Sequence, residues 1–211
     1  MALRTRRADR HRAVGASILA VAPVLIASVS LLTAHSAARE AAAGTVDDLV
    51  VQNVTFTVEL ALLLFLAVRL RGKRAVHGSL LLCTALMFLV IALFFPLISY
   101  VPGFRIEGPE TFDRFAKSGQ LSALVGSGIG LVFFLRNVGT GWPWLLTAAF
   151  LLLNGYLQVA VDRAGRTLWL TLAVGAVGEL PAAALALAGS AALSFAAWRH
   201  APAGQPTRRA V

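Results

Sequence analysis

Long apolar stretches separated by short polar ones dominate this chain. Six of them lie at about 13–34, 49–70, 79–100, 121–135, 142–161 and 168–198. A helix rises about 1.5 Å per residue and the hydrocarbon core of a bilayer is about 30 Å thick, so roughly 20 apolar residues cross it. The pattern therefore predicts an all-α, polytopic membrane helical bundle of about six transmembrane helices, with residues 13–198 forming a single transmembrane domain.

The last apolar stretch, Leu168 to Trp198, is too long for one straight crossing. About 30 residues would extend over roughly 45 Å as a single helix. Glu179 is its only charged residue, and Pro181 follows two positions later. Because proline removes a backbone donor and disfavours helix at Leu180, we expect a tilt, kink or break beside Glu179. An ionisable group inside a membrane helix is a functional candidate by default.

Two other apolar stretches carry polar side chains at helical spacing. Gln52, Thr55 and Glu59 share one face of the second stretch, and Asn154, Gln158 and Asp162 share one face of the fifth. Polar faces in membrane helices turn away from lipid, either to bind neighbouring helices or to serve function. The candidate polar residues are Glu59, Glu179, Pro181, Asn154, Gln158 and Asn53. With no Lys or Arg in the interior of any span, we expect Glu59 and Glu179 to be protonated hydrogen-bond donors.

Small residues define one face of the short fourth stretch. Ser122, Gly126, Ser127 and Gly130 include a G-x-x-x-G spacing, which predicts close approach of another helix. The preceding segment, 109–118, has charges alternating with phenylalanine. It fits either a short helix on the membrane surface or an ordinary connecting loop.

The distribution of basic residues predicts the orientation of the chain. In the six-span scheme 13 of the 19 Lys and Arg lie on one side, and five of these precede the first span. The positive-inside rule then predicts that both termini are cytoplasmic, with residues 1–12 a basic leader and 199–211 a flexible tail. This placement explains the net charge of +9 without nucleic acid as a partner. Residues up to about 38 also fit a secretory signal peptide, which would leave five spans.

Catalytic and metal-binding patterns are absent from the sequence. Cys83 is the only cysteine, and the four histidines, at 11, 35, 77 and 200, are scattered through predicted loops. Without a paired nucleophile and base or a group of metal ligands, we predict no catalytic residue, no metal and no cofactor. The chain is therefore predicted not to be an enzyme.

The C-terminal part of the chain resembles the stage II sporulation protein M-like membrane family. The stretch NGYLQVAV at 154–161, followed by GELPAAALALAGSAAL at 178–193, is similar to an Asn-Gly helix and the Glu-Leu-Pro-Ala helix that follows it in that family. Asn53 is similar to an earlier asparagine. The resemblance implies a non-enzymatic multispan protein in which Asn154, Glu179 and Pro181 are motif positions.

Two functions follow from these patterns. The first is a multi-pass protein of the cell membrane that acts as a scaffold or accessory subunit of envelope or export machinery, with the lipid bilayer and other membrane subunits as partners. The alternative is a small proton- or cation-coupled transporter that uses Glu59 and Glu179. A coupling carboxylate must be reached by water from one side, whereas a structural one is sealed between helices.

Overall fold

The computed structural model describes residues 2–111 and 113–200, and all regular structure in these ranges is helical. Seven α-helices follow one another through the described residues. They are α1 (Ala2–Ala42), α2 (Val50–Arg69), α3 (Arg74–Tyr100), α4 (Asp113–Arg136), α5 (Trp142–Arg163), α6 (Thr167–Val177) and α7 (Glu179–Arg199). Residues 201–211, which make up most of the predicted flexible tail, lie outside the described residues.

Six of these helices are long and apolar enough to cross a membrane. The candidate spans are Ala20–Ala42, Val50–Arg69, Arg74–Tyr100, Arg114–Arg136, Trp142–Arg163 and Glu179–Arg199. Each exceeds the roughly 20 residues that a bilayer requires, or equals it. The prediction of an all-α polytopic membrane protein with six spans is confirmed, whereas the cytoplasmic location of the termini stays a prediction from charge.

The first helix is longer than the apolar pattern predicts. Residues 35–42 continue α1 beyond the expected end at 34, because Ala, Arg and Glu in this segment favour helix. Gly44 ends it with φ of 70°, and Thr45 N–H donates to the Glu40 carbonyl at 2.9 Å. Together with the bond from Gly44 N–H to the Ala41 carbonyl, this is a Schellman motif. The prediction that His35 lies in a loop was therefore wrong.

The last apolar stretch is broken into two helices. Gly178 separates α6 from α7 with φ of 79° and ψ of 153°, a conformation that disfavours residues with a Cβ. Pro181 occupies the first turn of α7, where its missing N–H leaves no helical bond unmade. The expected break beside Glu179 is confirmed, but it occurs at Gly178 and leaves Leu180 helical.

Contacts divide the described residues into two compact units. The first contains residues up to Ala61 together with Arg166–His200, and the second contains Leu62–Gly165. In the first unit α1 packs along both α6 and α7. A Cβ placed on Gly175 of α6 would lie 3.0 Å from both Cα and N of Ala38, so the two backbones approach closely there. A glycine at 175 makes this packing possible.

In the second unit α3, α4 and α5 pack against one another. The small face of α4 meets α5, where the Ser127 hydroxyl donates to the Ala148 carbonyl at 3.2 Å. A Cβ on Gly130 would lie 3.0 Å from the Trp144 carbonyl oxygen. The predicted close approach of a helix to this face is confirmed. Residues 109–118 form a 3-10 turn, Pro109–Thr111, followed after one residue by the start of α4.

Gly130→Val should destabilise the second unit because the added atoms meet the α5 backbone. Overpacking of this kind costs about 1–3 kcal/mol. Gly128→Val is the matched control, since a Cβ at Gly128 meets nothing within 4 Å. Thermal melting in detergent should show a clearly lower transition temperature for Gly130→Val alone, and equal melting of the two variants would contradict the packing described.

Candidate functional site

The carboxylate of Glu179 lies against an imidazole from α1. Glu179 is the first residue of α7, and its Oε1 atom is 2.7 Å from Nδ1 of His35. The side chains are 46% and 56% exposed, so each is half open to its surroundings. Because His35 is positively charged when protonated, the pair is then an ion pair between two membrane helices. The sequence indicated no partner for Glu179, because no apolar stretch has Lys or Arg in its interior.

His35 is the functional candidate that sequence reasoning missed. The signal was present: helix-favouring residues, AAREAA, follow His35 up to the terminating Gly44. Because these residues extend α1 almost to that glycine, His35 lies on a helix rather than in a loop. Its partner can be identified only from the tertiary structure, because 144 residues separate the two side chains.

Glu179 begins one candidate span, and His35 lies inside another. Glu179 is the first residue of the span Glu179–Arg199, whereas His35 lies within Ala20–Ala42, seven residues before its end. Arg39, one turn further along α1, binds Glu40 at 2.7 Å, so charged side chains continue along this part of α1. An ionisable pair costs less near the end of a span than at the membrane centre.

The helix break adds backbone groups around this pair. As the first residue of α7, Glu179 places its negative charge at the positive end of the helix dipole. The preceding α6 ends with its carbonyl groups at the same junction, where Gly178 N–H donates to the Gly175 carbonyl at 3.2 Å. Discontinuous helices of this type form ion and substrate sites in transporters. The arrangement therefore brings an imidazole, a carboxylate and the ends of two helices to one junction.

Thr171 belongs to a different polar contact in the same unit. Its hydroxyl accepts the Asp47 N–H at 3.1 Å and donates to the Thr167 carbonyl at 2.9 Å. The Oδ1 atom of Asp47 in turn accepts the Leu49 N–H at 2.9 Å, just before α2 begins. This buried contact fastens the connection between α1 and α2 to α6.

Two threonines of α2 bond to carbonyl groups of their own helix. Thr55 donates to the Val51 carbonyl at 2.9 Å, and Thr57 donates to the carbonyl of Asn53 at 2.7 Å. The side chain of Asn53 is half-buried. Glu59 is only 6% exposed and makes an interaction within the chain. Glu59 is therefore buried within the protein, whereas Glu179 is half exposed.

The polar face of α5 likewise contains one buried side chain and two side chains that bond to each other within the helix. Asn154 is 6% exposed and also makes an interaction within the chain. The Nε2 atom of Gln158 donates to the two carboxylate oxygens of Asp162 at 3.2 and 3.0 Å. Gln158 and Asp162, predicted to share a face, are thus bound to each other. Among the described side chains, no group of three or more His, Cys, Asp and Glu could hold a metal ion.

Comparison with known proteins does not identify a relative. No family model, no curated protein and no solved structure matches the chain. The resemblance to the stage II sporulation protein M-like family therefore stays a prediction, based on Asn154 and on the residues Glu179 to Pro181.

Combined replacement of His35 and Glu179 should be less damaging than the sum of the single replacements. We expect a coupling of about 0.5–1 kcal/mol between His35→Ala and Glu179→Gln, since half-exposed pairs contribute in this range. Unfolding of the four proteins, measured by denaturant titration in mixed micelles near pH 6, gives the coupling. An equivalent cycle on Arg39 and Glu40 provides the control. Strict additivity at His35 and Glu179 would show that the contact contributes nothing.

Proposed function

We propose that this multispan membrane protein is a non-enzymatic scaffold or accessory subunit of envelope or export machinery in the cell membrane. The proposal rests on one exposed face of α7, which contains Ala188, Gly189 and Ala192 and is called the outer face here. Of the residues in its apolar window 11% are buried, against 22–44% for the other five spans. One side of α7 packs in the first unit, where Ser190 and Ala197 are buried.

The outer face of α7 has the composition of a helix interface. Ala188, Gly189 and Ala192 are all exposed, and a Cβ at Gly189 would meet nothing within 4 Å. Lipid chains contact large apolar side chains as readily as small ones, so lipid contact alone gives no reason for Ala and Gly. Small residues instead allow the backbones of two membrane helices to approach closely. We infer that another membrane protein covers this face.

The resemblance in α7 supports the same assignment. Glu179, Leu180 and Pro181 open the helix in the order that the stage II sporulation protein M-like family has, and the small residues follow. The resemblance implies a non-enzymatic role through partners. In this proposal the buried Glu59 and Asn154 hold the helices of the protein together, and the Glu179 pair with His35 orients α7.

Photo-crosslinking at the outer face of α7 tests the proposal. A diazirine amino acid replaces Leu185, which is 69% exposed, and the control replaces Leu82 of α3, which is 59% exposed. In intact membranes Leu185 should give one discrete protein adduct, whereas Leu82 should give only lipid adducts. Gly189→Leu should abolish the protein adduct, and Gly128→Leu, also in open space, should leave it. Lipid adducts alone at both positions would refute a partner on α7.

A second candidate function is a small proton- or cation-coupled transporter. The broken helix at Gly178 and the half-exposed pair of His35 and Glu179 favour it, because a coupling group must be reached from at least one side. In this function Glu179 exchanges the coupling ion, while the buried Glu59 stays structural. This assignment differs from a mechanism in which Glu59 and Glu179 both bind the coupling ion.

Proton flux in reconstituted vesicles tests this second candidate. With a pH gradient imposed, the wild-type protein should acidify a dye-loaded lumen, and Glu179→Gln should slow this flux at least tenfold. Glu40→Gln serves as the control because Glu40 binds Arg39 and Thr45 away from the pair. Flux that is absent from the wild type, or equal in Glu179→Gln, would exclude proton coupling at this site.

A further inference from the structure

Among the described charged residues of the second unit, those at one end are all basic. The connection between α2 and α3 carries Arg69, Arg71, Lys73 and Arg74, and α4 ends with Arg136. We call these five residues the basic end. Two contacts between α3 and α4 show that Arg136 belongs with the other four. The Phe94 ring of α3 packs edge-on against Phe115 of α4 with ring centroids 4.9 Å apart, and a Cβ on Gly126 of α4 would meet the side chain of Val90 of α3. The end of α4 therefore lies level with the start of α3.

The backbone holds the four basic residues of the connection in a tight turn. Lys73 N–H donates to the Leu70 carbonyl at 2.8 Å, and His77 N–H donates to the Lys73 carbonyl at 2.9 Å. The His77 ring nitrogen Nδ1 binds the carbonyl of Ala67 at 2.8 Å, which joins the first turn of α3 to the last turn of α2. These bonds fix the backbone of the connection and so keep the basic side chains close together.

Acidic residues are missing near the basic end in the sequence. None occurs in residues 60–106 or 114–161, whereas the basic residues of the opposite end are accompanied by acids. At that opposite end lie Arg105, Arg114, Lys117 and Arg163, with Glu107, Glu110, Asp113 and Asp162. Arg105 Nε is 3.7 Å from Glu107 Oε1 there. The α2–α3 connection and α4 contribute five basic residues and no acidic one to the basic end in these segments, so an anionic group would be attracted there.

Trp142 indicates how deep the basic end lies in the membrane. Trp142 begins α5 at this end of the unit and is 37% exposed. Its neighbour Trp144 is buried and stacks on Phe133 with ring centroids 4.6 Å apart, which fixes the first turn of α5. Exposed tryptophans at span ends lie among lipid headgroups. The basic end is therefore at the level of the phosphates of one leaflet.

We propose that the basic end is a binding site for the headgroup of an anionic phospholipid. The phosphodiester accepts hydrogen bonds from guanidinium groups of the α2–α3 connection and of Arg136, since arginine forms bidentate bonds to phosphate. Clusters of four or more basic residues next to a membrane helix attract anionic lipids. This site requires neither the partner on α7 nor proton coupling, so it stands or falls separately from the proposed function.

Native mass spectrometry of the full chain from mixed nanodiscs tests the site. With phosphatidylglycerol and phosphatidylcholine in equal amounts, the wild type should retain phosphatidylglycerol at least fivefold over phosphatidylcholine. Combined Lys73→Gln, Arg74→Gln and Arg136→Gln should bring the ratio within twofold of unity. The control, Arg105→Gln, Arg114→Gln and Lys117→Gln, removes the same charge from the balanced end and should keep the wild-type ratio.

Two further measurements complete the test. Inorganic phosphate at 10 mM should leave lipid retention unchanged, and loss of retention would assign the site to free phosphate and overturn the lipid proposal. Lys73→Gln alone, at an exposed position of the turn, should give an intermediate ratio even if the triple variant does not fold. An unselective wild type, or an equal loss of selectivity in the control, would also overturn the proposal.

Discussion

The close packing of α6 on α1 is the contact on which the first unit depends. Gly175 brings the α6 backbone against Ala38, and without a Cβ at that position the helices can approach this closely. In lipid, interhelical packing supplies the attraction that burial supplies in water, so such contacts decide which helices associate. The same approach aligns the start of α7 with the polar end of α1. The pairing of His35 with Glu179 is therefore a consequence of backbone packing and of the break at Gly178 together.

The number and positions of the membrane helices could be predicted from the sequence because hydropathy and helix length are local properties. The break beside Glu179 was also predictable, since Pro181 and the excess length both indicated it. Its location at Gly178 was not, because the position of a break depends on which residue can adopt φ of 79° where neighbouring helices require it. The end of α1 was missed for a different reason: hydropathy falls at His35, but helix propensity continues to the Schellman motif at Gly44.

Only one of the two residues of the candidate site, Glu179, was predictable from the sequence. Glu179 stands out as the one charge in a long apolar stretch, whereas His35 gains its meaning from a residue 144 positions away. The polar faces of α2 and α5 show why spacing alone does not identify a function. Thr55 and Thr57 donate to carbonyls of their own helix, and Gln158 donates to Asp162 one turn along α5, so these contacts are consistent with structural roles. What distinguishes Glu179 is exposure, a property that sequence spacing does not reveal.

The length of α1 connects two environments through one continuous backbone. Its 41 residues extend over about 60 Å, from the basic leader at one end to His35 and the Schellman motif at the other. A hydrogen-bonded helix moves largely as a rod, with Pro23 the point inside α1 where a backbone donor is missing. Because α1 is one helix through Pro23, its backbone joins the leader to the imidazole that contacts the start of α7. The leader and the break between α6 and α7 are thus linked by a single secondary-structure element.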